Sequence, residues 1–195
     1  MNWLNQLIFW IPLLIVVGIL LWLWREDVAT GQLPIGKVKK AIKIVVMVIF
    51  LQYLLKIGLF YFLLKKDPLG PYLLPGGETN FFFQNIWVAL KPLFLATLVA
   101  VVLVLIVILI KRLSQRPLFE EVDVYVIFLG SFLVGFPGVL VLLIGTFLLM
   151  IIWQLVRGAK ERLRLSPFLL FVCLAQLVLN NFQFYQNFLV RLNLI

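Results

Sequence analysis

The sequence predicts an all-α, polytopic membrane protein of about six transmembrane helices, and three observations carry that prediction. Of the 195 residues, 64% are hydrophobic and only 13% charged, too little polar surface to cover a water-soluble globule. The apolar residues come in runs close to the roughly 20 that a helix needs to cross about 30 Å of hydrocarbon, too long for barrel strands. The basic residues gather in the short segments between those runs.

The first span is expected at about residues 3–24. Trp3, Trp10, Trp22 and Trp24 stand near its ends, where amphipathic rings favour the interface, and Pro12 is a candidate kink. The run ends in Arg25-Glu26-Asp27 without a small-residue cleavage site, which reads as a retained anchor and not a removed signal peptide. A basic loop over 25–40, with Arg25, Lys37, Lys39 and Lys40, leads to a second span at 41–64. Turn signals at Asp67-Pro68, Gly70-Pro71 and Pro75-Gly76-Gly77 follow; without a subsequent Lys-Ser/Thr helix, Gly76-Gly77 is a turn and not a phosphate cradle.

The third span covers 83–110 and leads into Lys111, Arg112 and Arg116. The fourth is assigned to 118–135. Only about 18 Å of helix separates Asp123 from the turn at Gly135, so the helix is expected to start earlier and carry Asp123 into a protein-lined recess. A fifth span at 139–156 ends in a basic loop holding Arg157, Lys160, Arg162 and Arg164. The sixth, 166–184, opens on Ser166-Pro167, a favourable helix start, and fades into Asn180-Asn181-Phe182-Gln183; the tail to Ile195 is placed along the interface. Without repeats or a long linker, residues 1–195 read as a single domain.

A net charge of +9 would suggest nucleic acid in a soluble protein. Beside apolar runs it is better explained by membrane orientation and by anionic lipid headgroups, so no nucleic-acid partner is expected. The first, third and fifth loops, with Lys43, hold 12 of the 17 basic residues. The positive-inside rule makes those loops cytoplasmic and puts both termini outside, in a multi-pass protein of the cytoplasmic membrane. Asp27 and Asp123, two of only three aspartates, then share the cytoplasmic side.

The chain has no histidine and one cysteine, Cys173, inside an apolar run. That excludes Ser/His and Cys/His catalysis, a disulfide frame and a zinc site, and no metal or cofactor is expected. Two carboxylates sharing a site remain, because such a pair holds one proton jointly and acts as base and acid at once. Plainer roles stay open. Asp27 reads equally as a helix-end charge paired with Arg25 or Lys37, and Asp123 as a first-turn acid, with Glu120 and Glu121, favoured by the helix dipole. Lys56, one turn after Gln52 in the second span, reads as a snorkelling cation or an intramembrane site.

Asp27-Val28-Ala29-Thr30-Gly31-Gln32-Leu33-Pro34 resembles the first active-site motif of the prepilin and preflagellin peptidases, membrane aspartic proteases in which an Asp ending a span precedes a short turn and an apolar-Pro pair. Glu120-Glu121-Val122-Asp123 stands where that family carries Gly-x-hydrophobic-Asp, and Leu163-Arg164-Leu165-Ser166-Pro167-Phe168 is similar to its Ile-Pro-Phe-Gly-Pro-Phe segment. The resemblance implies Asp27 and Asp123 as catalytic pair, supported by Thr30, Gly31, Pro34, Glu120, Val122 and Pro167. It also implies a prepilin-like protein substrate, cut at the cytoplasmic face behind a short basic leader. Glu120 replaces the motif glycine, and the last segment keeps only Pro167, Phe168 and its apolar character. The paired CxxC insert that accompanies N-methylation is missing, so methyl transfer is not expected. Glu26, Glu120 and Glu121 are the acids available to attract a basic leader. The alternatives are an inactive homologue and a non-enzymatic scaffold or transporter subunit, although few polar groups lie at mid-span.

Overall fold

The computed structural model describes residues 2–75, 80–113, 120–135, 137–157 and 164–180. Gly76-Gly77, Arg116, Lys160, Arg162 and the tail from 181 lie outside the described residues. All regular structure within them is helical: α1 (Asn2–Thr30), α2 (Ile35–Lys66), α3 (Gly70–Leu73), α4 (Phe81–Leu113), α5 (Glu121–Val134), α6 (Gly138–Arg157) and α7 (Ser166–Asn180). Three of these, α2, α4 and α6, are long and apolar enough to cross a membrane, against the six spans expected. Their outward faces carry Met47, Phe50, Val88, Leu105 and Ile144, all exposed; in a membrane-embedded protein such faces meet lipid.

Two boundaries differ from the sequence expectation. The first helix does not stop at Trp24. It continues through Arg25, Glu26 and Asp27 to Thr30, so the expected 25–40 loop shrinks to Gly31–Pro34. The Thr30 hydroxyl, 2.7 Å from the Glu26 carbonyl, satisfies one terminal acceptor, and Gly31 at φ 61° ends the helix by donating its N–H to the Asp27 carbonyl at 3.0 Å. Pro34 then opens α2, its carbonyl accepting the N–H groups of Lys37 and Val38.

The second concerns α5, which was expected over about 118–135; residues 118 and 119 lie outside the described residues, and the helix begins at Glu121. Glu120 is its N-cap, in an extended conformation at φ −70° and ψ 161°, and Asp123 sits in the first turn. The helix has 14 residues, about 21 Å, and is too short to cross the hydrocarbon by itself.

The chain divides into two compact units. One, Met1–Val16 with Lys43–Phe94, contains an aromatic cluster in which Phe60 stacks on Phe82 at 5.9 Å and Tyr61 meets Phe82 edge-on. In it Asp67 caps the turn to α3 by accepting the Leu69 N–H. Lys56, on an exposed part of α2, stands 5.6 Å from the Tyr53 ring, which fits a snorkelling cation.

The other unit, Val17–Ile42 with Leu95–Ile195, holds the larger core. Leu20 and Leu23 of α1, Val38 of α2, Ala100 of α4, Val126 and Leu129 of α5, Leu142 of α6 and Leu169, Leu170 and Cys173 of α7 are fully buried. Helices α5, α6 and α7 pack on one another. Their approach depends on small residues: a Cβ at Gly130 would lie 2.9 Å from Leu169 Cδ2, and one at Gly145 would lie 3.1 Å from Val172 Cγ1. The Gln176 side-chain amide donates to the Gly138 carbonyl at 2.9 Å, tying α7 to the start of α6.

Candidate functional site

Three chain ends of that second unit meet around one residue. The last turn of α1 carries Asp27, the first turn of α5 carries Asp123, and α7 begins at Ser166; all three residues are buried, at 4%, 4% and 3% exposure. Ser166 stands close enough to both carboxylates that its side chain favours the charged form of Asp27 and its backbone that of Asp123. Asp123 Oδ2 also accepts the Glu120 N–H at 2.8 Å, so Asp123 does cap α5, the plainer role open to it from sequence. The two carboxylates stand within electrostatic reach of each other.

Asp27 is differently placed. Its Oδ2 is buried and has no hydrogen-bond partner among the described residues. The pairing with Arg25 or Lys37 allowed by the sequence is not formed with Lys37, whose ammonium binds Glu26 at 2.7 Å and lies 5.7 Å from the Trp22 ring. Successive residues on a helix point about 100° apart, so Glu26 faces Lys37 while Asp27 turns inward. Asp27 lies beyond the apolar run that ends at Trp24. Burial pushes its carboxyl above the usual carboxylate range; the neighbouring Ser166 side chain and the Arg164 guanidinium pull it down, and Glu120 adds to the rise.

Asp27 borders a cleft of about 550 Å³, walled by Trp24, Leu149, Ile152, Trp153, Phe168 and Phe171. Trp24 and Phe171 lie 6.1 Å apart and Trp153 and Phe168 6.0 Å, which sets the walls as two aromatic pairs. Arg164 and Asp27 are its charged lining residues, and Gly31 and Pro167 line it as well. Asp123 is not among the residues that line the cleft; its Oδ2 is held by the Glu120 N–H.

The supporting positions separate by role. Thr30, Gly31 and Pro34 shape the α1–α2 turn behind Asp27, and Val122 is buried beside Asp123. Glu120 stands where the resembled motif has glycine, yet its φ is ordinary for any L-residue, so the backbone there needs no glycine. Its side chain reaches Arg164 at 3.4 Å instead. With Glu26 held by Lys37 and Glu120 by Arg164, two of the three acids assigned to attracting a leader already have cations. Ser166, Arg164 and the aromatic walls were missed by sequence reasoning. Ser166 had been noticed as a helix opening and as part of the resembled Leu163–Phe168 segment, without a role of its own, and the walls lie on apolar faces that lipid contact explains equally well.

Among the described residues no group of three or more acidic or cysteine side chains is arranged to hold a metal ion. Cys173 is buried in α7 with a free thiol. In comparisons with known proteins, no family model, no curated protein and no solved structure matches the chain.

Proposed function

We propose that this protein is an intramembrane aspartic endopeptidase in which Asp27 and Asp123 activate water against a peptide bond. What supports the reading is the burial of both aspartates close enough for the charge of Asp27 to be felt at Asp123, with the unpartnered oxygen of Asp27 at the border of an apolar cleft. The ionised carboxylate takes a proton from water as its oxygen attacks the carbonyl carbon, and the protonated carboxyl gives its proton to the carbonyl oxygen. Collapse of the tetrahedral intermediate breaks the C–N bond. The departing nitrogen takes the proton that the base received, and a proton from the intermediate returns to the other carboxyl, so the pair starts the next cycle unchanged.

The substrate is a prepilin-like or preflagellin-like protein whose short basic leader is removed at the cytoplasmic face of the cytoplasmic membrane. This part rests on the motif resemblance and on the basic loops, which orient a six-span topology with both termini outside and bind anionic headgroups. Co-expression with a candidate prepilin tests it. Leader removal that stops in both Asp27→Asn and Asp123→Asn supports the enzyme, and removal that survives either change rejects the pair.

One observation favours a second reading, a non-enzymatic scaffold related to these peptidases. Asp123 already has a structural task, capping α5 through the Glu120 N–H. On that reading Asp123→Asn destabilises the fold and no leader is cut by the unaltered protein.

A further inference from the structure

We infer that the cleft beside Asp27 binds a membrane lipid with a zwitterionic phosphoethanolamine headgroup, its ammonium on the Asp27 carboxylate, its phosphate on Arg164 and its chain along the aromatic walls. The inference goes beyond the protease reading and does not depend on it.

The charged lining of the cleft is one acid and one base, Asp27 and Arg164, so a ligand that complements both carries one charge of each sign. The acid is buried and its Oδ2 has no hydrogen-bond partner among the described residues, so the cation that satisfies it is an N–H donor. A primary ammonium has three such hydrogens; a trimethylammonium has none. Aromatic rings beside a carboxylate also favour an organic cation through their negative faces, and the Trp24–Phe171 and Trp153–Phe168 pairs supply four of them. Burial opposes the charge on Asp27, and an ammonium at Oδ2 offsets that opposition.

Arg164 suits the phosphate. Its side chain is partly exposed, and a guanidinium presents its N–H donors in a planar fork that matches phosphate oxygens. Its contact with Glu120 runs through Nε and is long, at 3.4 Å, and Glu120 is not among the residues that line the cleft. The rest of the lining favours a lipid over a soluble zwitterion. Apart from Gly31 it is made of aromatic and aliphatic side chains, of which Ile152, Trp153 and Phe171 are exposed, so the cleft is open along apolar helix faces. It lies where the apolar run of α1 ends at Trp24 and just before α7 begins, at the level that headgroups and tryptophans occupy in a bilayer. Its volume of about 550 Å³ falls within the roughly 300–1,000 Å³ of small-ligand sites, room for a headgroup and the start of a chain.

Native mass spectrometry of the full-length protein in detergent tests this, with phosphatidylethanolamine, phosphatidylcholine and phosphatidylglycerol of identical chains in equal amounts. The unaltered protein should retain one phosphatidylethanolamine about tenfold more tightly than either of the others. Asp27→Asn should remove most of the preference over phosphatidylcholine. Arg164→Gln should weaken retention about tenfold, and Arg164→Lys should recover part of it. Free phosphoethanolamine, which lacks a chain, should not displace the lipid at equal concentration; displacement overturns the assignment to a lipid. Equal retention of the three lipids by the unaltered protein overturns the inference, as does a preference for phosphatidylglycerol. So does a preference for phosphatidylethanolamine that survives both Asp27→Asn and Arg164→Gln. No prepilin enters the measurement, so its failure leaves the protease reading standing. A protein that binds this lipid and cuts no leader loses the protease reading alone.

Discussion

Asp27 and Ser166, 139 positions apart in the chain, are both buried, at 4% and 3% exposure, and the Oδ2 oxygen of the Asp27 carboxylate has no hydrogen-bond partner among the described residues. A buried carboxylate so sparsely held is destabilising when charged, because desolvation is offset only by the neighbouring Ser166 side chain and a partly exposed arginine. Such an arrangement persists where the charge has a use.

The pH dependence of stability follows from it. Asp27 is raised above the ordinary carboxylate range in the folded protein, so its protonated form is favoured by folding. Its contribution is fully present below the unfolded-state pKa and is lost as pH rises through the folded value. Asp27→Asn, which cannot ionise, should match the unaltered protein in acid and become the more stable of the two as pH rises. Thermal unfolding in detergent at a series of pH values measures this. A protein that instead gains stability relative to Asp27→Asn as pH rises would contradict the assignment.

Gly31 sets where α1 ends, and so where Asp27 stands. At φ 61° it occupies the left-handed region, although a Cβ there would meet nothing within 4 Å. Gly31→Ala should therefore cost about 1–2 kcal/mol through backbone strain alone, and Gly31→Asn less, since asparagine tolerates that region better. Chemical denaturation of the three proteins gives the order; equal stability of Gly and Ala would show that the turn is not formed.

Close packing of α5, α6 and α7 is tested at Gly138. A Cβ there would lie 2.5 Å from Val134 Cγ1 and 2.8 Å from Gln176 Nε2, the atom that donates to the Gly138 carbonyl. Gly138→Ala should push Gln176 off its acceptor and destabilise by about 1–3 kcal/mol. At Gly18, in the interior of α1 where a Cβ would meet nothing within 4 Å, the same change should stabilise by up to about 1 kcal/mol through helix propensity. A Gly138→Ala protein as stable as Gly18→Ala would place these helices further apart than described.

Much of the fold was legible because apolar length is a strong signal. The runs behind α2, α4 and α6 were found from composition and the thickness of a bilayer. Ends were harder. Arg25, Glu26 and Asp27 read as the start of a loop because charge usually marks the membrane boundary, yet charge is compatible with helix, and the true stop signal was the αL glycine at position 31. Glu120 was not recognised as the cap of α5 because glutamate is not a favoured N-cap residue. At the candidate site, Asp27 and Asp123 were legible through their scarcity and their motif spacing. Ser166 was not, since a serine before a proline already has a sufficient local explanation. Nor was the Glu26–Lys37 pair, which depends on a rotation of about 100° between adjacent helical residues.

The central claim is that Asp27 and Asp123 act as one unit. The most direct measurement is kcat/KM for cleavage of a leader-bearing prepilin by the protein in liposomes, compared among the unaltered chain, Asp27→Asn, Asp123→Asn and the double variant. Each single change should lower the rate about a hundredfold or more, and the double variant should be no slower than the slower single one, because a group that works only with its partner has nothing left to lose. Losses that multiply in the double variant, or a single variant that cleaves at the unaltered rate, would contradict the account.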